Sequence, residues 1–396
     1  MKYLKWASRA AAVLAAVAPV GQARADGPAT CSFDSATATV TVVMDGVPTV
    51  LKRTADGAIR LDDVACSGAT VFNTDTILVE GTPFDVVSIE GDFAPGKSPD
   101  LGRSEIEFTL SRPRLILLRM GEGDDQVIAT DTGLDIGGDG DTDILTGLMP
   151  RTIEGRGGND IIDMTLRPGA ILHGDGGDDI LLGGEVMFGG EGKDFLVASD
   201  LDTRMTGGPG DDVMQGGDHV DVFVVGPVAD GADLIDGGPA RDFIDYGQRT
   251  ADVTVTSGAG GADDGELGEG DQVARVEHIF TGSGNDFVIG TSSDDDIRTG
   301  DGDDQISAGG GADTVMAGPG DDVIEGGEGR NRIDAGDGND VILCSSPSDD
   351  GIVAGAGDDQ IMGNADGNLD NLDCGAGNDI AEADANDTFS ACEVLQ

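Results

Sequence analysis

The sequence predicts an all-β protein, a parallel β-roll or β-solenoid of nonapeptide repeats with a β-rich N-terminal cap. Residues 281–343 consist of seven nonapeptides laid end to end without an insertion. Within them an acid or amide recurs at the sixth position and a β-branched apolar residue at the eighth. No helical period appears after residue 25. A nine-residue unit cannot bury its apolar residue alone, so such units must stack on one another.

The seven units run from TGSGNDFVI to AGDGNDVIL. Their sixth positions hold Asp286, Asp295, Asp304, Asp313, Asp322, Asn331 and Asp340. Their eighth positions hold Val288, Ile297, Ile306, Val315, Ile324, Ile333 and Ile342. Clear further copies lie at residues 189–197, 207–215 and 216–224, and looser ones at 120–128, 155–163, 174–182, 237–245, 354–362 and 374–382. The candidate metal ligands outside the run are Asp125, Asp160, Asp179, Asp194, Asp212, Asp221, Asp233, Asp242, Asp359 and Asp379.

The repeat has the chemistry of a calcium site. Glycine adopts backbone conformations with positive φ at no steric cost, so glycine at alternate positions builds a tight turn that aims carbonyl oxygens inward. The sixth-position aspartate adds a carboxylate. Carbonyl and carboxylate oxygens together are what the hard cation Ca²⁺ selects, usually six to eight of them. The three residues that follow predict a very short strand with one side chain in the core.

The pattern G-G-x-G-x-D-x-U-x, in which U is apolar, resembles the haemolysin-type (RTX) calcium-binding repeat family. The resemblance covers most of residues 120–382 and implies a bacterial protein whose coils each consist of two nonapeptides. Ions would then lie between stacked turns on the same side, which pairs aspartates 18 residues apart, as in Asp286 with Asp304 and Asp295 with Asp313. Asn331 lacks the negative charge, so its site with Asp313 should be weaker.

Two repeats depart from the pattern. Thr142 stands at an acid position and is a doubtful ligand. His219 replaces the fourth-position glycine of its repeat, and we interpret it as a tolerated turn variant rather than a metal-binding histidine.

The chain divides by composition. Residues 1–25 predict a secretory signal peptide, with three basic residues, an apolar stretch and Ala23-Arg24-Ala25 before Asp26. Residues 26–119 predict the β-rich cap, with strands at 37–44, 76–80, 86–90, 105–110 and 115–120; a separate small β-domain is the alternative. Irregular repeats occupy 120–245, an inserted strand-loop-strand 246–280, regular repeats 281–382 and a C-terminal cap 383–396.

The insertion interrupts the repeats. Residues 252–256 and 273–280 predict two strands around a glycine-rich acidic loop. A further calcium site there could use Asp263, Asp264, Glu266 or Asp271, but we favour a solvated loop.

The charge map excludes some partners. The formal net charge is −53. Residues 26–120 carry 14 acids and 8 bases, whereas residues 121–396 carry 62 acids and 11 bases. Such an acidic block repels nucleic acid and anionic lipid, and no segment is apolar enough to span a membrane. Permanent disorder is the simplest interpretation of the charge, but the periodic Val and Ile favour folding that calcium binding drives.

The cysteines fit a secreted protein, in which disulfides persist. We expect the pairs Cys31–Cys66 and Cys374–Cys392, with Cys344 left over. Connectivity does not follow from sequence, so Cys344–Cys374 stays open. The second expected pair would stabilise the end of the solenoid by about 3 kcal/mol in the chain-entropy account.

Catalytic motifs are missing from the sequence. It contains no H-E-x-x-H, no G-x-S-x-G and no G-x-x-x-x-G-K-[ST]. We therefore expect a non-enzymatic, extracellular calcium-binding protein with a structural, adhesive or calcium-buffering role and with cell-surface or matrix polysaccharide as a candidate partner. A calcium-dependent hydrolase or polysaccharide lyase is the alternative, and a membrane-damaging toxin is disfavoured because no long apolar segment is present.

Overall fold

The computed structural model describes most of the chain from residue 29 onward. The described residues are 29–35, 39–44, 48–53, 58–70, 76–80, 86–90, 107–111, 114–120, 126–129, 133–136, 144–145, 151–257, 263–344, 347–362, 368–382, 386–392 and 394–395. They contain strands and turns but no helix, and hence no helix that could cross a membrane. The predicted signal peptide lies outside them.

The N-terminal strands are five residues long on average, since they lack the repeat. They are β1 (Thr30–Asp34), β2 (Thr39–Val43), β3 (Thr49–Arg53), β4 (Ala58–Leu61), β5 (Val64–Thr70), β6 (Thr76–Glu80), β7 (Val86–Glu90), β8 (Glu107–Ser111), β9 (Arg114–Arg119), β10 (Gln126–Ala129), β11 (Gly133–Ile136) and β12 (Ile144–Leu145).

The strands from residue 152 to the end of the insertion are shorter, because glycine-rich turns follow each other closely. They are β13 (Thr152–Gly157), β14 (Ile161–Asp163), β15 (Ile171–Gly176), β16 (Ile180–Leu182), β17 (Val186–Glu191), β18 (Phe195–Val197), β19 (Arg204–Thr206), β20 (Val213–Gln215), β21 (Val222–Val224), β22 (Leu234–Asp236), β23 (Phe243–Asp245), β24 (Val253–Thr256), β25 (Gly265–Glu266), β26 (Gln272–Ala274) and β27 (His278–Phe280).

The regular repeats and the C-terminus supply the remaining strands. They are β28 (Phe287–Ile289), β29 (Asp296–Arg298), β30 (Gln305–Ser307), β31 (Thr314–Met316), β32 (Val323–Glu325), β33 (Arg332–Asp337), β34 (Val341–Leu343), β35 (Gly351–Ala356), β36 (Gln360–Met362), β37 (Asn371–Asp373), β38 (Ile380–Ala381), β39 (Thr388–Ser390) and β40 (Val394–Leu395).

These strands form three sheets. Sheet A has the order β1, β2, β6, β8, β12, β11, β10, β14, β16, β18, β20, β22, β26. Sheet B has the order β5, β4, β3, β7, β9, β13, β15, β17, β19, β21, β23, β27, β29, β31, β33, β35, β37, β39. Sheet C has the order β25, β24, β28, β30, β32, β34, β36, β38, β40.

The chain winds as a parallel β-solenoid, which confirms the predicted fold class. Successive strands alternate between sheet B and sheet A from β13 to β23, and between sheet B and sheet C from β27 onward. In the regular run two nonapeptides complete one coil, so Val288 pairs with Ile306 and Ile297 with Val315. Sheet B therefore forms one continuous face, whereas the opposite face changes from sheet A to sheet C at the insertion.

The core consists of apolar side chains that both faces of the solenoid turn inward. Each three-residue strand turns its middle side chain inward, since neighbouring side chains of a strand point to opposite faces. The eighth-position residues of the seven nonapeptides are at most 3% exposed. The core is thin, so the turns at its two edges contribute much of what holds the coils together.

The N-terminal strands extend both faces of the solenoid. Strand β9 pairs in parallel with β13, and β10 pairs in parallel with β14. Antiparallel pairs occur at the far edge, between β1 and β2 and between β4 and β5. Antiparallel pairing ends a stack of parallel strands by turning the chain back on itself. The domain boundaries at residues 119, 245, 280 and 382 stay predictions.

One predicted strand is wrong. Residues 273–280 form two strands, β26 in sheet A and β27 in sheet B, instead of one. Arg275, between them, has a φ of 56°, in the left-handed region that breaks a strand. The chain turns there from one face of the solenoid to the other.

Both expected disulfides are present. Cys31 is bonded to Cys66, and Cys374 to Cys392. The alternative Cys344–Cys374 is excluded, because Cys344 is a buried free thiol. The first disulfide joins β1 to β5 across the N-terminal strands, and the second joins the last coils.

Candidate metal sites

The predicted ligand aspartates are buried at the turns. The fifteen that the structure describes are at most 3% exposed. Asp125 lies outside the described residues. Each of the fifteen directly precedes a strand, so the turn before the strand places its carboxylate inside the roll. They are Asp160, Asp179, Asp194, Asp212, Asp221, Asp233, Asp242, Asp286, Asp295, Asp304, Asp313, Asp322, Asp340, Asp359 and Asp379.

These residues stack in two ladders because successive strands alternate between the two faces. The A/C ladder precedes the strands of sheets A and C and consists of Asp160, Asp179, Asp194, Asp212, Asp233, Asp271, Asp286, Asp304, Asp322, Asp340, Asp359 and Asp379. The B ladder precedes strands of sheet B and consists of Asp221, Asp242, Glu277, Asp295, Asp313, Asn331, Asp350 and Asp370. The predicted pairs of aspartates 18 residues apart are neighbours within a ladder.

Three ladder residues were not predicted as ligands from the sequence, and a fourth was assigned to a loop. Glu277, Asp350 and Asp370 were not predicted, and Asp271 was placed in a solvated loop, although all four are at most 7% exposed. A local signal was present, since an inward apolar residue follows each by two positions, as Ile352 follows Asp350. Insertions in the preceding turns break the nine-residue spacing and hide it. The prediction of a solvated loop is wrong for Asp264 as well, which is fully buried.

One carboxylate oxygen of most ladder aspartates joins adjacent coils. The backbone N–H of Asp304 donates to Oδ1 of Asp322 at 2.8 Å, and that of Asp322 donates to Oδ1 of Asp340 at 2.9 Å. The same bond links Asp179 to Asp194 and Asp295 to Asp313, each at 2.8 Å. A hydrogen bond to a charged acceptor contributes about 1.5–3 kcal/mol, so this repeating bond stabilises the stack of coils.

The second carboxylate oxygen is buried without a hydrogen bond in ten of the predicted residues. A buried polar atom in that state costs about 1–3 kcal/mol, and more when it is charged. The ten are Asp179, Asp194, Asp212, Asp242, Asp286, Asp304, Asp313, Asp322, Asp340 and Asp359. A bound cation would remove this cost.

The pKa values of the ladder carboxyls are raised because burial disfavours their charged form. Burial raises the pKa of Asp212 to about 7 and that of Asp304 to about 6. Burial also raises the pKa of Asp322 to about 7, and the neighbouring carboxylates of Asp304 and Asp340 add to this rise. Hydrogen bonds act in the opposite direction and are outweighed; they come from the backbone of the preceding coil for Asp212 and Asp322, and from Thr299 and that backbone for Asp304. The environment therefore disfavours the negative charge unless a cation or a proton accompanies it.

The missing Cβ of glycine makes room beside the unsatisfied oxygen. A Cβ on Gly174 would overlap Oδ2 of Asp179 and lie 2.5 Å from the carbonyl oxygen of Gly189 in the next coil. The carboxylate oxygen of Asp179 and the carbonyl oxygen of Gly189 thus face the same small space without a hydrogen-bond donor between them. A cation fits such a space, since oxygen ligands are what Ca²⁺ takes.

The donor set fits a hard cation bound partly by backbone. Among the described residues no three His, Cys, Asp or Glu side chains form a group that could hold a metal. Each ion would therefore need carbonyl oxygens of the glycine-rich turns besides the ladder carboxylates. His219 lies exposed in its turn, as expected for a tolerated turn variant.

The insertion supplies its own cation to a third acidic group. The side chain of Arg249 is fully buried, and its guanidinium donates to Glu266 at 2.8 Å, Glu269 at 2.9 Å and Asp230 at 3.2 Å. Its Nε also donates to the carbonyl oxygen of Gly226 at 2.6 Å. This Arg249 cluster lies where the face opposite sheet B changes from sheet A to sheet C.

The comparisons with known proteins agree with this geometry. The RTX calcium-binding nonapeptide repeat (4 copies) matches residues 171–186, 197–227, 228–248, 280–315, 307–342 and 346–370. No curated protein matches the chain. The unmatched stretch 249–279 coincides with the insertion and the Arg249 cluster. Over the span 171–370, in which the two ladders stack, the chain belongs to the family of RTX calcium-binding nonapeptide repeat proteins.

Proposed function

We propose that this is a secreted β-roll protein whose ladder aspartates bind structural Ca²⁺ and couple folding to extracellular calcium. The ten buried carboxylate oxygens without a hydrogen bond carry the proposal. Without calcium they repel one another across a thin core, and with calcium they become ligands, so that binding energy becomes folding energy. The protein would serve as a structural, adhesive or calcium-buffering component, and cell-surface or matrix polysaccharide is the candidate partner.

The test is a calcium titration of the purified protein after treatment with EGTA, followed by far-UV circular dichroism. We expect the β signal to be largely lost in EGTA and recovered cooperatively at calcium concentrations of roughly 10⁻⁴–10⁻³ M, the range of extracellular modules. Magnesium at the same concentrations is the control, since it demands a tighter octahedral site. A β signal that chelation leaves unchanged would contradict the proposal.

Secretion rests on the leader and on the disulfides. Disulfides persist in oxidising compartments outside the cytosol, and the chain has two of them. The general secretory route would remove residues 1–25. N-terminal sequencing of the exported protein should begin at Asp26, and an intact Met1 on the exported protein would refute the assignment.

A non-enzymatic role is the last part of the proposal. The ladders account for the paired carboxylates that would otherwise suggest glycosidase acids, because the carboxylates recur with the repeat and point into the turns. A polysaccharide-degradation screen of the calcium-loaded protein should find no products, and release of oligosaccharides would favour the hydrolase or lyase alternative.

A further inference from the structure

The two ladders differ in how their second carboxylate oxygens are satisfied. In the A/C ladder, consecutive members lack a hydrogen bond on Oδ2: Asp179, Asp194 and Asp212 in one stretch, then Asp286, Asp304, Asp322, Asp340 and Asp359 in another. We call a carboxylate incomplete when its Oδ2 is buried without a hydrogen bond. Adjacent coils of the A/C ladder thus present pairs of incomplete carboxylates.

Two acids of the B ladder, Asp221 and Asp295, have protein donors on both carboxylate oxygens. The backbone N–H of Gly217 donates to Oδ2 of Asp221 at 2.7 Å, and Thr203 N–H donates to its Oδ1 at 2.9 Å. Thr291 donates to both oxygens of Asp295 in the same way: its N–H donates to Oδ2 at 2.7 Å and its hydroxyl to Oδ1 at 2.9 Å. Both carboxylates are thus complete without an ion.

Asn331 differs from the aspartates because its side chain donates a hydrogen bond to its own turn. Its Nδ2 donates to the carbonyl oxygen of Gly326 at 2.9 Å, so an amide hydrogen lies where the aspartate turns present only acceptors. Two further members between Asp221 and Asn331, Asp242 and Asp313, each lack a hydrogen bond on Oδ2, but neither has an adjacent ladder residue in the same state. From Asp221 to Asn331 no two adjacent B-ladder residues both present an incomplete carboxylate.

Fixed charges show the same asymmetry. In the two A/C stretches the residue before the ladder position is Asp at 178, 211, 303, 321 and 358, Asn at 285 and 339, and Lys at 193. Beside the B ladder between Asp221 and Asn331 the equivalent residues are Arg241 and Arg330 at two positions, Asp294 at one and apolar at the other three. Arg241 lowers the pKa of Asp313 and Arg275 lowers that of Asp242, although burial, the larger effect, raises both. The two isolated B-ladder acids therefore have protein cations nearby.

We propose, as an inference that rests on the proposed function, that calcium binds in two files along the A/C ladder, from Asp179 to Asp212 and from Asp286 to Asp359. The B ladder between Asp221 and Asn331 is held by internal hydrogen bonds and arginine charges instead. Calcium ions thus join the coils along the A/C ladder, whereas hydrogen-bond donors and arginine side chains of the protein stabilise the B ladder. Calcium then does not bind between Asp313 and Asn331, whereas the sequence predicted only weaker binding there.

The test counts bound calcium by equilibrium dialysis against radioactive calcium chloride at saturation. The Asp322→Asn variant should bind fewer ions per chain than the wild type, whereas the matched Asp313→Asn variant should bind the same number. The Asn331→Asp variant should gain an ion, because it creates adjacent incomplete carboxylates at 313 and 331. Far-UV circular dichroism in calcium verifies that each variant is folded.

Each outcome has a distinct meaning. If Asp313→Asn loses as many ions as Asp322→Asn, or if neither variant loses any, the one-edged arrangement is wrong. If Asp322→Asn does not fold, the Asn331→Asp count decides, since a two-edged roll would gain affinity there without gaining an ion. A wild-type protein that binds no calcium would instead refute the proposed function.

Discussion

The Arg249→Met variant is expected to lose about 3–5 kcal/mol of unfolding free energy, the cost of leaving buried charges without their partner. Arg249 is fully buried and pairs with Asp230, Glu266 and Glu269. Burial raises the pKa of Glu269, but the hydrogen bonds and charge of Arg249, together with the backbone N–H groups of Glu266 and Asp230, outweigh burial and hold that pKa below its usual range. Methionine fills similar space but brings no charge, so the three carboxylates would repel one another.

Urea denaturation in saturating calcium measures the loss without interference from ion release. Arg298→Met is the matched control, because Arg298 is 43% exposed, forms its ion pair with Asp296 two residues away and lies over the Phe280 ring, 5.1 Å from its centroid. Exposed ion pairs contribute about 0–1 kcal/mol, so the control should stay within that range. Equal losses for the two variants would show that the Arg249 cluster adds no stability beyond that of a surface ion pair.

The regular repeats were predictable because one local rule decides their structure. Nine-residue spacing fixes which side chain turns inward, and Val288, Ile306 and Ile324 all lie in the core as the spacing requires. The rule holds without knowledge of distant residues, since the neighbours of each coil are copies of itself. It fails where an insertion changes the spacing, as it does before Asp350.

The differences between the ladders were not predictable from the repeat pattern. Asp295 and Asp304 occupy the same position of their units, yet Oδ2 of Asp295 accepts from the Thr291 N–H, whereas Oδ2 of Asp304 is buried without a hydrogen bond. Whether a carboxylate is satisfied depends on the N–H and the side chain of residues at the start of its turn. The repeat pattern does not determine how these groups are oriented. The Arg249 cluster was hidden for a related reason, because its carboxylates lie 17–20 residues away in an aperiodic segment.

The calcium-free protein is expected to gain structure as the pH falls from about 8 to about 5. Burial raises the folded-state pKa of Asp212 and Asp322 to about 7 and of Asp194 and Asp340 to about 6, above the ordinary value of 3.8. A group with a raised folded-state pKa binds its proton more tightly when folded, so its contribution to stability is present at low pH. That contribution disappears as the pH rises through about 6–7. Protons would thus replace calcium as the partners of the ladder.

Far-UV circular dichroism in EGTA across this pH range tests the expectation, and a β signal that stays constant or falls on acidification would contradict it. The double variant Asp322→Asn/Asp340→Asn sharpens the test, because an amide is a permanently neutral substitute for a protonated carboxyl. Asn331 shows that the turn accepts an amide, whose Nδ2 donates to a turn carbonyl. In EGTA at pH 8 the double variant should retain more β structure than the wild type, while it needs more calcium to reach full structure. Opposite effects with and without calcium follow only if the same buried carboxylates are costly in the free protein and become ligands in the bound one.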